Sequence, residues 1–482
     1  MSTKALTIWT FIVTSVAVFM VSLDNLVVTT ALPVIKHDLG ASLQGLEWTV
    51  NAYTLTFAVL LLTGAALGDR FGRKRMFLAG LAVFTFGSAA AALAPSIDWL
   101  VAARALQGIG GAIVMPLTLT ILSGAVSPAR RGLALGVWGG VAGLAIAIGP
   151  VVGGAIVEGV SWQWIFWLNV PIGLVLLPIA WRRLTESKGT SRSLDLPGLG
   201  LVSVGLFGIV WGLVRGNAHG WTSLSVAGPI AAGIVLVGAF VLWELRAREP
   251  MVPMQFFRKR AFSAANVTSL LMSFGMFGAI FLLAQFFQVV QGYSPLQAGL
   301  RTLPWTAMPI FIAPIAGIMS DRIGARPLLV AGMALMAAGL AWIAVISTPT
   351  VAYGRLVPAF VMAGVGMSLY FAPVANLVLG TVRRSEEGKA SGVNNTVREV
   401  GGVFGVAVLA SVFSAAGSYL SPQSFVDGMV PAMWVGAAAV ALAGIAAIAI
   451  PPRQDVVPDS VSLLERPDGA RDELACEPEA AA

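Results

Sequence analysis

The sequence predicts an all-α, polytopic membrane protein of about fourteen spans. Three observations predict it: long apolar runs recur from end to end, charge is scarce, and the cations gather in alternate connections. Of 482 residues, 57% are hydrophobic and 11% are charged, and the mean hydropathy is +0.85. Soluble domains carry roughly twice that charge. Runs of about 17 to 25 residues are long enough, as helices, to cross a hydrocarbon layer about 30 Å thick. In lipid only helices and closed barrels satisfy their backbone groups. A barrel would show short alternating segments, not unbroken runs such as Phe77 to Leu93.

The first run, Thr7 to Leu32, is too long for a signal-peptide core and lacks a small-residue cleavage pattern, so it is expected to stay in the mature chain. The next five, Trp48 to Leu67, Phe77 to Leu93, Trp99 to Leu122, Gly132 to Val157 and Ile165 to Trp181, are separated by short polar or basic segments. Leu199 to Val214 and Val226 to Leu245 follow a longer polar stretch. The last six are Val267 to Val290, Leu303 to Met319, Leu328 to Ile346, Val357 to Val382, Gly392 to Ala416 and Val430 to Ile450.

Charge tests that order independently. Alternate connections hold Arg70, Arg73, Lys74 and Arg75; Arg130 and Arg131; Arg182, Arg183, Lys188 and Arg192; Arg246, Arg248, Arg258, Lys259 and Arg260; Arg322 and Arg326; and Arg383, Arg384 and Lys389. The connections between them hold only Lys36, Arg215, Arg301 and Arg355. Cationic loops stay in the cytoplasm, so both termini are expected there. The net charge of +7 is therefore read as a topology signal and not as a nucleic-acid surface. A single Cys476 and only two histidines, His37 and His219, exclude disulfides and a Cys or His metal site.

An internal repeat is visible. Gly68-Asp69-Arg70-Phe71-Gly72-Arg73-Lys74 aligns without a gap on Ser320-Asp321-Arg322-Ile323-Gly324-Ala325-Arg326, and Gly132 to Val137 recurs more loosely as Gly388 to Val393. The copies follow spans two and ten, so two helices are inserted between six-helix halves. The expected organisation is a first bundle over 1–185, inserted helices and loops over 186–260, a second bundle over 261–451, and a disordered acidic tail over 452–482. Duplicated halves suit alternating access, in which one bundle rocks against the other around a central site.

Ionisable groups within spans each cost several kcal/mol unless paired or hydrated, and mark function. Asp24 and Arg104 lie about 12 Å and roughly 8 Å from the same membrane face by helix rise, hence level with each other. Such a carboxylate can exchange protons if helix motion changes its surroundings; the same pair can equally be a static tie between two helices. Gln107, one turn from Arg104, is expected to share its cavity. Glu399 is a second proton site or a local partner of its neighbour Arg398. Asn25, Asn51, Trp138, Asn394 and Asn395 complete the candidate substrate cavity together with Gln107 and Arg398. Met115, Phe274, Met276 and Phe277 either line an adaptable apolar pocket or face lipid. Gly136, Gly139, Gly140, Gly143 and Gly149-Pro150-Val151-Val152-Gly153-Gly154 concentrate helix-weakening residues in the fifth span and predict a kinked, pliable or sealing element.

These residues resemble a known family. Asp69-Arg70-x-Gly72-Arg73-Lys74 resembles the signature loop of the major facilitator superfamily. Leu23-Asp24-Asn25-Leu26-Val27-Val28 with Ala31-Leu32-Pro33 is similar to the first-helix motif of its fourteen-helix drug:proton antiporter branch, and Trp162-Gln163-Trp164-Ile165-Phe166 with Asn169-Val170-Pro171-Ile172-Gly173 to the start of that branch's sixth helix. The resemblance runs from Leu23 to about Gly405. It implies the major facilitator fold and proton antiport of drugs or antibiotics. It further implies that Asp69 and Arg73, with Arg70 and Gly72 and the second copy Asp321, Arg322 and Gly324, belong to a gating latch. It makes Arg104 a proton-relay residue, and Gly149, Pro150, Gly153 and Gly154 the antiporter motif. Ala65, Ala145, Gln163 and Glu399 depart from the family pattern, and Glu399 bears on proton stoichiometry or substrate charge.

The expected function is a proton-coupled efflux antiporter for small hydrophobic or cationic drugs, working as a monomer in a bacterial inner membrane. Its partners are a small-molecule substrate, protons and lipid, without nucleic acid; the proton gradient is its energy source and no cofactor is needed. The alternative is an importer, or a dedicated exporter of an endogenous metabolite, in the same superfamily. An embedded enzyme would need a nucleophile, a metal site or paired catalytic groups.

Overall fold

The structure, a computed structural model, describes residues 3–126, 128–188, 195–382 and 386–452. The acidic tail from 453 onward, Arg192, Arg383 and Arg384, and the side chains of Arg130, Arg131 and Asp321 lie outside the described residues.

The first half comprises α1 (Thr3–Leu39), α2 (Leu43–Phe71), α3 (Arg73–Ala92), α4 (Ile97–Ala125), α5 (Pro128–Gly159), α6 (Trp164–Trp167) and α7 (Asn169–Arg183). Then come α8 (Leu196–His219) and α9 (Leu224–Glu244). The second half comprises α10 (Arg260–Gln285), α11 (Pro295–Thr306), α12 (Met308–Ile323), α13 (Ala325–Ile346), α14 (Tyr353–Gly380), α15 (Glu387–Ala416) and α16 (Pro422–Ile448). Among the described residues, 13 helical segments are long and apolar enough to cross a membrane, and α5 adds a shorter apolar stretch, Ala147–Gly159.

Two spans differ from the sequence reading. The sixth is broken at Leu168, so α7 begins on Asn169. The tenth begins at Pro295, eight residues before Leu303. Ser294 and Gln297 form a capping box there, with a proline at the first helical turn. That span breaks at Ala307 because Pro309 can neither donate to the helix ladder nor fit against the preceding turn. In the fifth span α5 continues as one helix through Pro150.

The repeat has a structural signature. Gly72 and Gly324 join consecutive helices at φ +109° and +82°, and each donates its N–H to the residue four back, Gly68 and Ser320, at 3.0 Å. Only glycine takes that backbone region cheaply. At Gly72 an added Cβ would also meet the Glu186 carboxylate at 2.8 Å, whereas at Gly324 the nearest atom, the Pro452 carbonyl, is 3.5 Å away. Gly72→Ala should therefore cost more, about 2 kcal/mol or above against about 1 kcal/mol for Gly324→Ala, read as the larger fall in melting temperature in detergent; equal falls would contradict this.

α1–α4 and α7 close around Val13, Ala17, Met20, Tyr53, Phe57, Phe84 and Leu117. A larger core holds Met272, Phe286, Phe287, Met336, Phe360 and Met433 among α10–α16 and continues to Val27, Leu32, Trp162 and Phe166 of the first half. α8 lays Leu206, Val210 and Val214 against Leu55 and Val59 of α2 and Val403 and Ala407 of α15, with Trp48 set against Phe207 and Trp211 at 5.7 and 5.8 Å. The inserted pair thus backs the seam where the halves meet along α2 and α15.

Candidate functional site

At the end where α2 gives way to α3, hereafter the terminal end, Thr7 Oγ1 donates to the Ala125 carbonyl at 3.0 Å and the Arg183 guanidinium lies 5.1 Å from the Trp9 ring. The opposite, far end carries the α1–α2, α5–α6 and α10–α11 connections. Two constellations stand out between these ends.

The first lies inside the first half. α1 carries Asp24, α3 Ser88, α4 Arg104 and Gln107, and α7 Asn169; these five are at most 2% exposed. Arg104 Nη1 donates to Asp24 Oδ2 at 2.5 Å and to Gln107 Oε1 at 2.7 Å. Asp24 Oδ1 accepts from Gln107 Nε2 at 2.7 Å and from Asn169 Nδ2 at 2.9 Å. Ser88 Oγ accepts from both amides at 3.0 Å and donates to the Phe166 carbonyl at 3.0 Å. Arg104 Nε reaches the Thr49 carbonyl at 3.2 Å, and the guanidinium stands 4.2 Å from the Tyr53 ring centre. Burying two charges is tolerable only when further hydrogen bonds support them, and here Asp24 accepts three and Arg104 donates three, with the Tyr53 ring beside the guanidinium. The expected Asp24–Arg104 pairing is present. Asn169 and Ser88 were not foreseen: Ser88 is one small residue in an apolar run, while Asn169, a lone amide after an aromatic run, was the available signal. Asn169→Leu removes a donor from both Asp24 and Ser88 and should cost about 1–3 kcal/mol, seen as a lower melting temperature; an unchanged value would show the contact to be idle.

Gln107, a candidate for the substrate cavity, shares its site with Arg104 as expected and faces inward with Asp24 among α3, α4 and α7, where all donors to the carboxylate lie. Trp138 likewise points within its own half, donating to Thr118 Oγ1 at 3.2 Å. Asn25 is half-buried beside the network.

The other cavity candidates separate into two places. Asn394, Asn395 and Arg398 line a cavity of about 90 Å³ between α14 and α15, within the second half. Asn394 Nδ2 is committed there to Ser269 Oγ at 2.8 Å and Asn266 Oδ1 at 3.2 Å. Arg398 Nη2 pairs with its neighbour Glu399 at 3.1 Å, which is the local-partner arrangement. Asn51 is wholly buried on α2. Among the described residues Asn51, Glu47 Oε2, Thr396 Oγ1 and Glu399 Oε2 have no hydrogen-bond partner, so the α2 and α15 helices bury polar atoms they do not satisfy. Tyr53 of α2 lies against the first constellation, its ring 4.2 Å from the Arg104 guanidinium and its hydroxyl donating to the Val21 carbonyl at 3.3 Å.

The second constellation is the far-end seam between the halves. A Cβ on Gly153 would meet Thr30 Oγ1 at 2.5 Å and the Val27 carbonyl at 2.6 Å, so α5 packs backbone to backbone on α1. On its other face Gly154 abuts the Pro295 carbonyl, and Gly299 of α11 abuts the Pro150 carbonyl. Leu296 N donates to Glu158 Oε2 at 3.1 Å, Thr306 Oγ1 to the Ala147 carbonyl at 3.0 Å, and Gln288 Nε2 to the Thr30 carbonyl at 2.9 Å. Gln288 sits in a π-turn, Phe286–Val290, that ends α10, a local widening common where helices do functional work. Lys36 Nζ lies 3.0 Å over the Tyr419 ring. Burial holds the Tyr419 phenol protonated well above its usual range, with the Glu47 carboxylate adding to the effect, and it donates to Gln285 Oε1. The α5 glycines Gly153 and Gly154 thus sit in the packed seam itself.

At the terminal end Arg73 Nη2 pairs with Asp69 at 2.8 Å, and Glu186 accepts from Lys74 N and Arg75 N at 3.0 and 3.2 Å. Asp69, Arg73, Lys74 and Arg75 belong to the first half, and Glu186 opens the inserted segment. Arg70 and Arg322 are exposed. The Asp69–Arg73 part of the expected latch is therefore made within one half, and hydrogen bonds between the halves gather at the far end.

A family profile described as Major Facilitator Superfamily matches residues 14–406. The chain is 36% identical over 424 residues to the tetracenomycin C resistance and export protein of Streptomyces glaucescens, covering 88% of this chain and 79% of that one. It is 37% identical to the cephamycin export protein CmcT of Amycolatopsis lactamdurans, covering 84% of each. It is 34% identical to the multidrug efflux pump LfrA of Mycolicibacterium smegmatis, covering 91% and 86%. Among solved structures, a peptide transporter POT bound to sulfate superposes with a TM-score of 0.68 at 16% identity, over 94% of this chain and 98% of that one. The xylose transporter XylE from E. coli does so with 0.60 at 12% identity, over 92% and 97%. At those identities the likeness concerns the fold.

Proposed function

This chain belongs to the major facilitator superfamily, and from that premise we propose that it is a proton-coupled exporter of small, largely apolar molecules. It is a multi-pass membrane transporter and not an enzyme. In this reading it sits in a bacterial inner membrane with the terminal end, rich in Arg and Lys, in the cytoplasm, and it works as a monomer. The bundles are 1–185 and 261–451, with 186–260 inserted between them. The structure then corresponds to the form closed on the outer side.

The observation that carries the coupling is the buried Asp24–Arg104 pair, with two further amides donating to the carboxylate. It is stable while the outer side is closed. Tyr53, whose ring lies 4.2 Å from the Arg104 guanidinium, is carried by the seam helix α2 itself, so parting α2 from α15 alters the field and the water around the pair. Asp24 then takes a proton from the outer side, releases Arg104, and yields the proton to the cytoplasmic side once the outer side has closed and it pairs with Arg104 again. Arg104 serves as the group that Asp24 exchanges against. Glu399, already held by Arg398, acts locally. With three donors on it, the Asp24 carboxylate is not itself offered to a substrate in this form.

The test is accumulation of a panel of neutral and cationic drugs in an exporter-deficient bacterium expressing the chain. Lower accumulation that an uncoupler restores to the empty-vector level supports the reading. Higher accumulation that depends on the gradient would instead make the chain an importer.

A further inference from the structure

The inserted pair carries two carboxyl groups that no motif announced and that the Asp24–Arg104 pair does not involve. Glu244 is the last residue of α9, yet it is only 3% exposed. Its Oε2 accepts the Val252 N–H at 3.1 Å. Asp195 caps α8 by accepting the Gly198 N–H at 2.9 Å, and the same Oδ1 accepts the indole N–H of Trp243, the neighbour of Glu244, at 2.7 Å. The two carboxyl groups thus come within hydrogen-bonding reach of each other. Their remaining oxygens, Glu244 Oε1 and Asp195 Oδ2, are buried, and among the described residues no donor reaches either. Nor does either group have a cation at ion-pair distance among those residues. α9 packs chiefly on α8, from which Asp195 is the charged group acting on Glu244; Arg246 and Arg248 of the following linker are exposed. Two carboxylates sharing a buried site cannot both be charged, and a single proton between them would satisfy both leftover oxygens.

We propose that Asp195 and Glu244 form a second proton-binding site, outside both bundles, in which one shared proton bonds Glu244 Oε1 to Asp195 Oδ2 and fastens the linker over 245–259 to the inserted pair. That linker is a strap. Thr63 Oγ1 of α2 donates to its Met251 Sδ at 3.6 Å, its Val252 and Phe256 are buried in the larger core, and its Lys259 donates to the Thr381 carbonyl at the end of α14. It therefore touches both halves, and the Glu244 bond to Val252 N–H holds it to α9. Loss of the proton sets two like charges against each other without a countercharge, which drives the carboxyl groups apart. Glu244 then leaves the Val252 N–H, and the strap comes free. Because the proton binds only the fastened form, the clip is made at low pH and opens as pH rises. That this end faces the cytoplasm, so that the site answers to cytoplasmic pH, rests on the exporter reading above; the clip itself does not.

The experiment is hydrogen–deuterium exchange, read by mass spectrometry, on the full-length chain in lipid nanodiscs with no proton gradient. Protection of residues 251–259, with the intrinsic exchange rate at each pH divided out, is followed between about pH 6 and about pH 9. It should be level at the acid end and then fall by up to about tenfold per pH unit, the slope of a one-proton linkage. Glu244→Gln keeps an oxygen for the Val252 N–H and offers Asp195 a permanent donor, so its protection should stay at the acid-end level throughout. Asp195→Asn supplies the donor from the other side and still caps α8, and should behave the same way. Level protection in the wild-type chain across the range, or a fall that persists in either variant, would overturn the proposal. A fall confined to the wild-type chain supports it; if that chain also fails to lower drug accumulation in cells, the exporter reading alone is lost.

Discussion

Asp24→Asn should abolish gradient-driven export, leaving accumulation at the empty-vector level. The substitution leaves Arg104, 1% exposed, with its charge unpaired, and puts an amide N–H2 among the Arg104, Gln107 and Asn169 donors. Breaking a buried pair from one side costs about 3–5 kcal/mol, so loss of export by itself does not separate coupling from instability. Joining Asp24→Asn to Arg104→Gln removes both charges and should recover much of the melting temperature, because replacing a whole pair is far cheaper than orphaning one member. Export should stay absent in the recovered double variant. A double variant that exports normally would reduce the pair to a helix tie.

The second large effect is expected at the far-end seam. Gly154→Val sets a side chain against the Pro295 carbonyl and Leu296 Cα, where backbone cannot retreat without parting α5 from α11. Overpacking of this kind costs about 1–3 kcal/mol, which shifts the open-to-closed ratio roughly 5- to 150-fold. With Cys476→Ser as background, cysteines placed by Glu158→Cys and Leu296→Cys flank the 3.1 Å contact of the native residues and should cross-link readily; adding Gly154→Val should suppress the cross-link. Gly140→Val on the same helix, where an added Cβ meets nothing within 4 Å, should leave it unchanged. Equal cross-linking in both would show that the glycines do not hold the seam.

Much of this arrangement was legible in the sequence because lipid leaves few choices. A run such as Phe77 to Leu93 can only be a helix there, and alternating cations order the spans without any contact information. Asp24 and Arg104 could be paired from depth alone, since helix rise is fixed. What depth cannot give is azimuth. Gln107 and Asn51 were placed in a shared cavity because they are polar and inside spans, yet Gln107 turns toward α1 and α3 and Asn51 is buried on α2. A soluble helix is oriented by its one apolar stripe, and a helix apolar on every side offers no such stripe to read. Asn169 escaped for a related reason: its position depends on the break at Leu168, and a one-residue interruption leaves little trace in an apolar run.

The central claim is that a proton moves on and off one carboxylate as the outer seam opens and shuts. Infrared difference spectra of the chain, taken with the seam cross-linked through Glu158→Cys and Leu296→Cys and again after reduction, address it directly. The account predicts a protonated-carboxyl C=O band that appears on release and is missing from the same experiment on Asp24→Asn. The same difference spectrum from both proteins would mean that Asp24 keeps its charge throughout, and the coupling site would have to be sought elsewhere.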